Sequence, residues 1–308
     1  MSEPVIDLRL WRQFVAVAEA LHFGRAAQSL HMTQPPLTQA IAQLERLLEV
    51  RLFDRTKRSV KLTAAGAALL PPARDLLARA RALPAQARAA QAGELGHLRL
   101  GFVSTIGFAQ LPQWVRGFRA RYPKVGLDLV EATGDVQLQS LERGEIDAGF
   151  MLHSPGFAPP ALQHLRVTRE PLVLAVADPH PLAQHASLKL AQVLDQPLVI
   201  FPHRIVPSLH DAILGIYQGA GRTPVIAQEA IQMQTIVNLV SAGLGVAWVP
   251  ESVRQFQRPG VAYRKVAAAR GSPIPGCETS LVWPRHAAPP VLERFIEFIK
   301  PATATRGE

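Results

Sequence analysis

Two adjacent prolines open an apolar helical stripe in MTQPPLTQAIA (residues 32–42), and this pairing constrains the front of the chain more than any other feature. Leu37, Ile41, Leu44 and Leu48 recur at i, i+4, i+7 and i+11, the spacing of one helix face. Proline lacks an N–H, a loss that matters little only in a helix's first turn, where the donors have no intrahelical partner. Pro35 and Pro36 therefore mark a helix start, with Thr33 or Gln34 available to cap it. Upstream, Leu10, Phe14, Val17 and Leu21 predict a helix over about 8–20, and Ala26, Ala27 and Leu30 a short second one from Arg25 to Leu30. Three short helices with a tight turn before the third make a helix-turn-helix pattern; a small helical bundle without a nucleic-acid role is the alternative.

The next segment bears on that choice. RLFDRTKRSVKLT (51–63) carries Arg51, Arg55, Lys57, Arg58 and Lys61, and TKRS (56–59) predicts a hairpin tip with Val60 and Leu62 alternating on the return strand. A basic hairpin directly after a helix-turn-helix is a wing, suited to phosphates and the minor groove. Charge is distributed accordingly. Of the net +9 on 308 residues, the first 90 hold 13 Lys/Arg against 7 Asp/Glu, the rest 20 against 17. The excess at the front favours a polyanionic partner for that segment.

From Thr63 to about Gln91 alanine, leucine and arginine predominate, predicting a long exposed helix capped by Thr63. Pro71, Pro72 and Pro84 are expected to kink or interrupt it. Leu69, Leu70, Leu76, Leu77 and Leu83 need cover that one helix does not provide, so pairing with a second copy is expected. The length suggests two domains. No apolar run is long enough to span a membrane, MSEPVIDLRLWRQF lacks a signal-peptide apolar region, and a cytoplasmic location is expected. Cys277 is the single cysteine, so neither a disulfide framework nor a cysteine-based metal cluster is expected.

The segments FGRAA, QPPLT, IAQLE, RLFDR and LTAAG occur in this order across about residues 10–70, and this series resembles the N-terminal domain of the LysR-type transcriptional regulators. The resemblance implies an α/β fold with an N-terminal winged helix-turn-helix (1–63), a long linker helix (64–92) and an effector domain (93–308). That last part would resemble periplasmic binding proteins in having two α/β lobes, lobe I over about 97–169 and 270–308, lobe II over about 170–269. It also implies reading of double-stranded promoter DNA as a dimer joined through the linker helix, usually within a tetramer. Thr33, Gln34, Pro35, Thr38 and Gln39 would lie at the front of the recognition helix, Arg55, Lys57 and Arg58 in the wing, and Arg25 also at the DNA. Many relatives carry arginine where this chain has Gln39, which shifts the local chemistry toward amide readout of adenine.

After residue 97, strands alternate with helices. HLRLGFVS (97–104), VGLDLVEAT (125–133), IDAGFML (146–152), PLVIFP (197–202), TPVIAQEA (223–230), VAWV (246–249) and ETSLVW (278–283) read as strands. Helices intervene over about 108–120, 135–144, 207–219 and 232–242, and a final one covers 291–300; a parallel α/β sheet is expected, with a break near 170 between sub-domains. In such sheets ligands sit beyond the carboxyl ends of strands, often at helix starts. Ser104 and Thr105, Thr133 with Gly134, and Phe201, Pro202 and His203 occupy three such junctions. Hydroxyls and free N–H groups there suit a small organic anion, most simply a carboxylate, although capping of the following helices is the simpler role for each residue alone. Under the resemblance Ser104, Thr105 and Thr133 match positions where relatives hold effectors, with Met151 and Val246 as further wall candidates. No nucleophile elbow, HExxH, Walker loop or metal-ligand spacing is present, so no enzymatic activity, metal or cofactor is expected. AGLGVAWVP (242–250) has a G-x-G, but it follows a helix and lacks the third glycine of a dinucleotide fingerprint. A small-molecule-binding protein without regulatory output is the second reading, and an α/β enzyme the third; neither explains the basic winged front.

Overall fold

The computed structural model describes residues 5–56, 59–268, 273–285 and 288–304. Its contacts divide the chain into two compact units, Met1–Arg88 and Ala89–Glu308. In the first, α1 (Leu8–Ala20), α2 (Phe23–Ser29) and α3 (Gln34–Leu47) precede a hairpin of β1 (Phe53–Arg55) and β2 (Val60–Leu62). The apolar faces read from the sequence meet in one core, where Phe14, Val17, Ala26, Leu37, Ile41 and Leu44 are buried. Phe53 from the hairpin closes that core against Phe14 and Phe23, with ring centroids 5.6 and 6.0 Å away.

The helix α4 (Ala64–Gln91) follows. Thr63 caps it as expected: its hydroxyl accepts from Gly66 N at 3.0 Å and donates to the Arg51 carbonyl at 2.7 Å. Gly66 is required here, because a Cβ would come within 2.2 Å of the Leu52 carbonyl oxygen. The helix runs unbroken through Pro71, Pro72 and Pro84, so the expected interruption does not occur. Each proline removes one donor, and the neighbouring alanines, leucines and arginines are strong helix formers that keep the remaining ladder.

The second unit contains β3 (Gly96–Phe102), α5 (Ser104–Gly107), α6 (Leu111–Arg121), β4 (Val125–Glu131), α7 (Gly134–Glu142) and β5 (Ala148–His153). It continues with β6 (Gln163–Ala177), β7 (Ser187–Lys189), α8 (Leu190–Val193), β8 (Leu198–Ile200), α9 (Pro207–Gln218) and β9 (Ile226–Glu229). It ends with α10 (Met233–Ser241), β10 (Ala247–Pro250), β11 (Val261–Ala267), β12 (Gly276–Trp283) and α11 (Pro290–Ala304). The main sheet has the order β4-β3-β5-β12-β6-β11-β7, with β10 also on β6, and β8 pairs with β9 separately.

That sheet is mixed, not parallel. β3 lies parallel to β4 and β5, but the returning β12 runs antiparallel to both β5 and β6, and β10 and β11 run antiparallel to β6. The backbone is not interrupted near 170, where the change of sub-domain is expected. β6 continues through it and changes partners there, with Gln163–Pro171 on β12 and Leu172–Ala177 on β10 and β11. Two cores follow from this crossing. One gathers Leu98, Leu100, Phe118, Phe150, Leu292 and Phe295, the other Leu174, Val199, Leu209, Ile213, Val237 and Trp248. Among the described residues no helix is long and apolar enough to cross a membrane.

Candidate functional site

In the first unit, Thr33 holds the N-cap position of α3 with extended backbone (φ −83°, ψ 158°), yet its side chain makes no capping hydrogen bond. The prolines explain this: a capping oxygen accepts from the N–H of the second or third helical residue, and those are Pro35 and Pro36. Gln34 is the first helical residue rather than the cap. Thr33, Gln34, Pro35 and Gln39 are all exposed, and Thr38 is half-buried with its hydroxyl donating to the Gln34 carbonyl at 3.1 Å. Gln34 with Thr38, and Pro35 with Gln39, are i, i+4 pairs, so the candidates form two adjacent rows on the leading surface of α3.

The hairpin is fixed to that helix by Glu45, which sequence reading left unassigned. One carboxylate oxygen accepts from Leu52 N at 2.9 Å and Phe53 N at 3.2 Å, the other from Arg55 Nη2 at 2.7 Å. Arg55 also lies over the Phe23 ring, 4.8 Å from its centroid. The structure thus ties Arg55 into the joint between α3 and the hairpin, because the nearest anion is Glu45 and the nearest aromatic face is Phe23. Arg25 is exposed and donates from Nη2 to the Ala20 carbonyl at 2.7 Å. His22 caps α2 just before it, Nδ1 accepting from Gly24 N and Arg25 N. Lys57 and Arg58 lie outside the described residues.

In the second unit, a cavity of about 40 Å³ opens where the two cores face each other. Ser104 and Thr105 reach it from the end of β3, Thr133 from the end of β4 and Phe201 from the end of β8, so three strand–helix junctions converge there. Val103, Ala132 and Leu152 complete the wall of one lobe, and Ile205, Val206 and Ile236 that of the other. Ile231, Gln232 and Met233 enter from the start of α10. Among the described residues no charged side chain lines it.

The polar groups at this cavity are unequal. Thr105 is 3% exposed, and its hydroxyl finds no hydrogen-bond partner among the described residues. The Thr133 hydroxyl donates to Asp135, whose carboxylate sits in the first turn of α7, where the helix dipole favours negative charge. Asp135 also faces Arg204 of the opposite lobe at 3.8 Å. Ser154 N donates to Ser208 Oγ at 3.1 Å and Ser154 Oγ to the Ser208 carbonyl at 2.8 Å, a second link between the lobes.

Four other candidates are not brought to the cavity. Met151 packs with Leu141, Ile146 and Val282, on the face of β5 opposite Leu152, because successive strand residues alternate sides. Val246 is buried beside Leu198, to which it is bridged. The Pro202 carbonyl accepts from Ile205 N at 3.1 Å, a turn that returns Ile205 and Val206 to the wall. His203 is carried outward by the same turn and pairs with Asp211 at 3.2 Å.

Comparison with known proteins covers both units. Residues 8–67 match the model described as bacterial regulatory helix-turn-helix protein, lysR family, and residues 91–304 match the LysR substrate binding domain. The chain is 44% identical over 295 residues to the HTH-type transcriptional regulator IlvR of Caulobacter vibrioides, spanning 96% of this chain and 97% of that one. It is 39% identical over 266 residues to the regulator AlsR of Bacillus subtilis, spanning 85% and 86%. Among solved structures, full-length CbnR in complex with its target DNA superposes with a TM-score of 0.81 at 30% identity, over 97% of this chain and 100% of that one.

Proposed function

The chain belongs to the LysR family of transcriptional regulators, a family of regulators rather than enzymes, and from that premise we propose how its two units divide the work. The start of α3 reads bases through Gln34, Thr38 and Gln39, while the basic hairpin supplies phosphate contacts. Amides and hydroxyls suit base edges, and the salt-sensitive bulk of the affinity comes from the neighbouring cations. Family members form oligomers; here the exposed Leu76 and Leu83 of α4 favour a dimer through that helix, and two such dimers as a tetramer.

The effector is a small organic acid with a largely apolar body, held in the cavity between the lobes. The observation that carries this reading is the enclosed Thr105 hydroxyl, an unmet polar group on a largely apolar wall. With no cation in the lining, a carboxylate would be met by hydroxyls, Gln232 and backbone N–H groups, and Asp135 limits how much negative charge the site accepts. Occupancy links Ser104 and Thr105 of one lobe to Phe201 and Val206 of the other. It thereby biases lobe geometry and the way paired DNA-binding units sit on and bend the promoter. A thermal-shift screen of the full chain against small organic acids, each beside its primary amide, tests this. Stabilisation by a subset of acids over their amides supports it; stabilisation by neither across the panel removes the organic-acid assignment.

A further inference from the structure

Outside the cavity and the DNA-facing surface, three side chains with metal-ligand chemistry converge at the start of α9. His203 lies in the turn after β8, and His210 and Asp211 lie in the second turn of α9. One donor atom from each falls within 4.8 Å of the others. His203 Nε2 is 3.2 Å from Asp211 Oδ1, and His210 Nδ1 is 3.8 Å from the same oxygen. The imidazoles stand nearly perpendicular, at 87°, with centroids 5.1 Å apart.

We propose that His203, His210 and Asp211 form a three-ligand site for a divalent transition-metal ion of the zinc class. Bonds of about 2.0–2.1 Å in a tetrahedral arrangement place donor atoms about 3.3 Å apart. The pair at 3.2 Å already meets that spacing, and the pair at 3.8 Å lies within about 0.5 Å of it. Two imidazoles and one carboxylate suit Zn²⁺, Co²⁺ or Ni²⁺, whereas Ca²⁺ and Mg²⁺ prefer all-oxygen shells. A surface His–Asp ion pair accounts for His203 and Asp211 but not for His210. Its Nδ1 is enclosed and has no hydrogen-bond partner among the described residues, an unmet polar atom that a bound ion would satisfy. His203 and Asp211 are exposed, so an ion has a path in and a fourth position open to water.

The location gives the site a consequence. An ion there would fasten the turn that carries Phe201, Ile205 and Val206 into the cavity wall to the body of α9. Its test requires no effector. The full chain, with any affinity tag removed, is titrated with ZnCl₂ by calorimetry and with CoCl₂ by visible absorption. One ion per chain at micromolar affinity, with the ligand-field bands of tetrahedral Co²⁺, is expected. His203→Ala and Asp211→Asn, both at exposed positions, should each weaken binding at least about tenfold. His185→Ala, at an exposed histidine elsewhere, should leave binding unchanged. Absence of saturable binding, or variants at 203 and 211 that bind as tightly as the parent, overturns the proposal.

Discussion

Single side chains here do work that their type alone does not announce. Thr33 stands where a cap belongs, but Pro35 and Pro36 give it no donor to accept from, so its polar group faces outward. Thr105 is the cavity's counterpart. An enclosed hydroxyl without a partner costs about 1–3 kcal/mol, so Thr105→Val, nearly isosteric, should stabilise the empty protein. About 2–4 °C per kcal/mol is expected in thermal unfolding for a unit of this size, together with loss of the acid-induced shift. A lowered midpoint with the shift intact would contradict the role of Thr105. His153 gives a pH signature. Burial holds its imidazole below the usual value of 6.5, and its Nδ1–H donates to the Ser154 carbonyl while Nε2 accepts from Ser280. Below pH 6.5 the unfolded chain takes up a proton that the folded one refuses, so stability falls as pH drops from 6.5 toward the folded value. Glu170 is shifted upward by burial and contributes with the opposite sign, gaining stability as pH falls through its raised value. His153→Gln should therefore flatten the acid-side fall in melting temperature; an unchanged profile would exclude His153 as its source.

At the scale of elements, α4 is the clearest case of a surface that one chain leaves unfinished. Leu83 is 61% exposed and Leu76 42% exposed, although Ala73 and Leu77 on the same helix are buried. Covering a leucine contributes about 1.5–3 kcal/mol, and a twofold axis would count each twice. Leu83→Glu should raise the self-association constant for dissociation by tenfold or more in sedimentation equilibrium; unchanged association would remove α4 from the interface. Elements with strong local signals were legible in advance. The helices of the first unit carry clean stripes, such as Leu37, Ile41 and Leu44, and the strand after residue 97 is a compact apolar run. The first half of β6 was not, because Gln163–Pro171 includes His164, Arg166, Arg169 and Glu170 and has few buried positions. β11 likewise starts buried and ends exposed, which blurs its alternation. Its pairing with the last residues of β6 is a tertiary fact with no local trace.

For the whole molecule, the three junctions were readable because hydroxyls follow strands there, and Ser104, Thr105, Thr133 and Phe201 do meet in one cavity. Ile231, Gln232, Met233 and Ile236 carry no such mark. They become wall only because α10 starts opposite the end of β3, and Met151 fell to the other face by a single step along β5. Glu45 escaped notice for a related reason: a glutamate on a helix is ordinary until the hairpin's Leu52, Phe53 and Arg55 fold onto it. On the proposed reading, the front of α3 reads sequence while the basic surface around it supplies affinity. The most direct measurement is binding of the full chain, by fluorescence anisotropy, to the DNA upstream of its own coding region and to a scrambled duplex, across a salt series. Log affinity should fall linearly with log salt for both duplexes, with the native one preferred. Gln34→Ala with Thr38→Ala should remove about 1–3 kcal/mol or more of that preference while leaving the salt slope in place. Equal affinity for both duplexes in the parent, or full preference retained in the double variant, would contradict it.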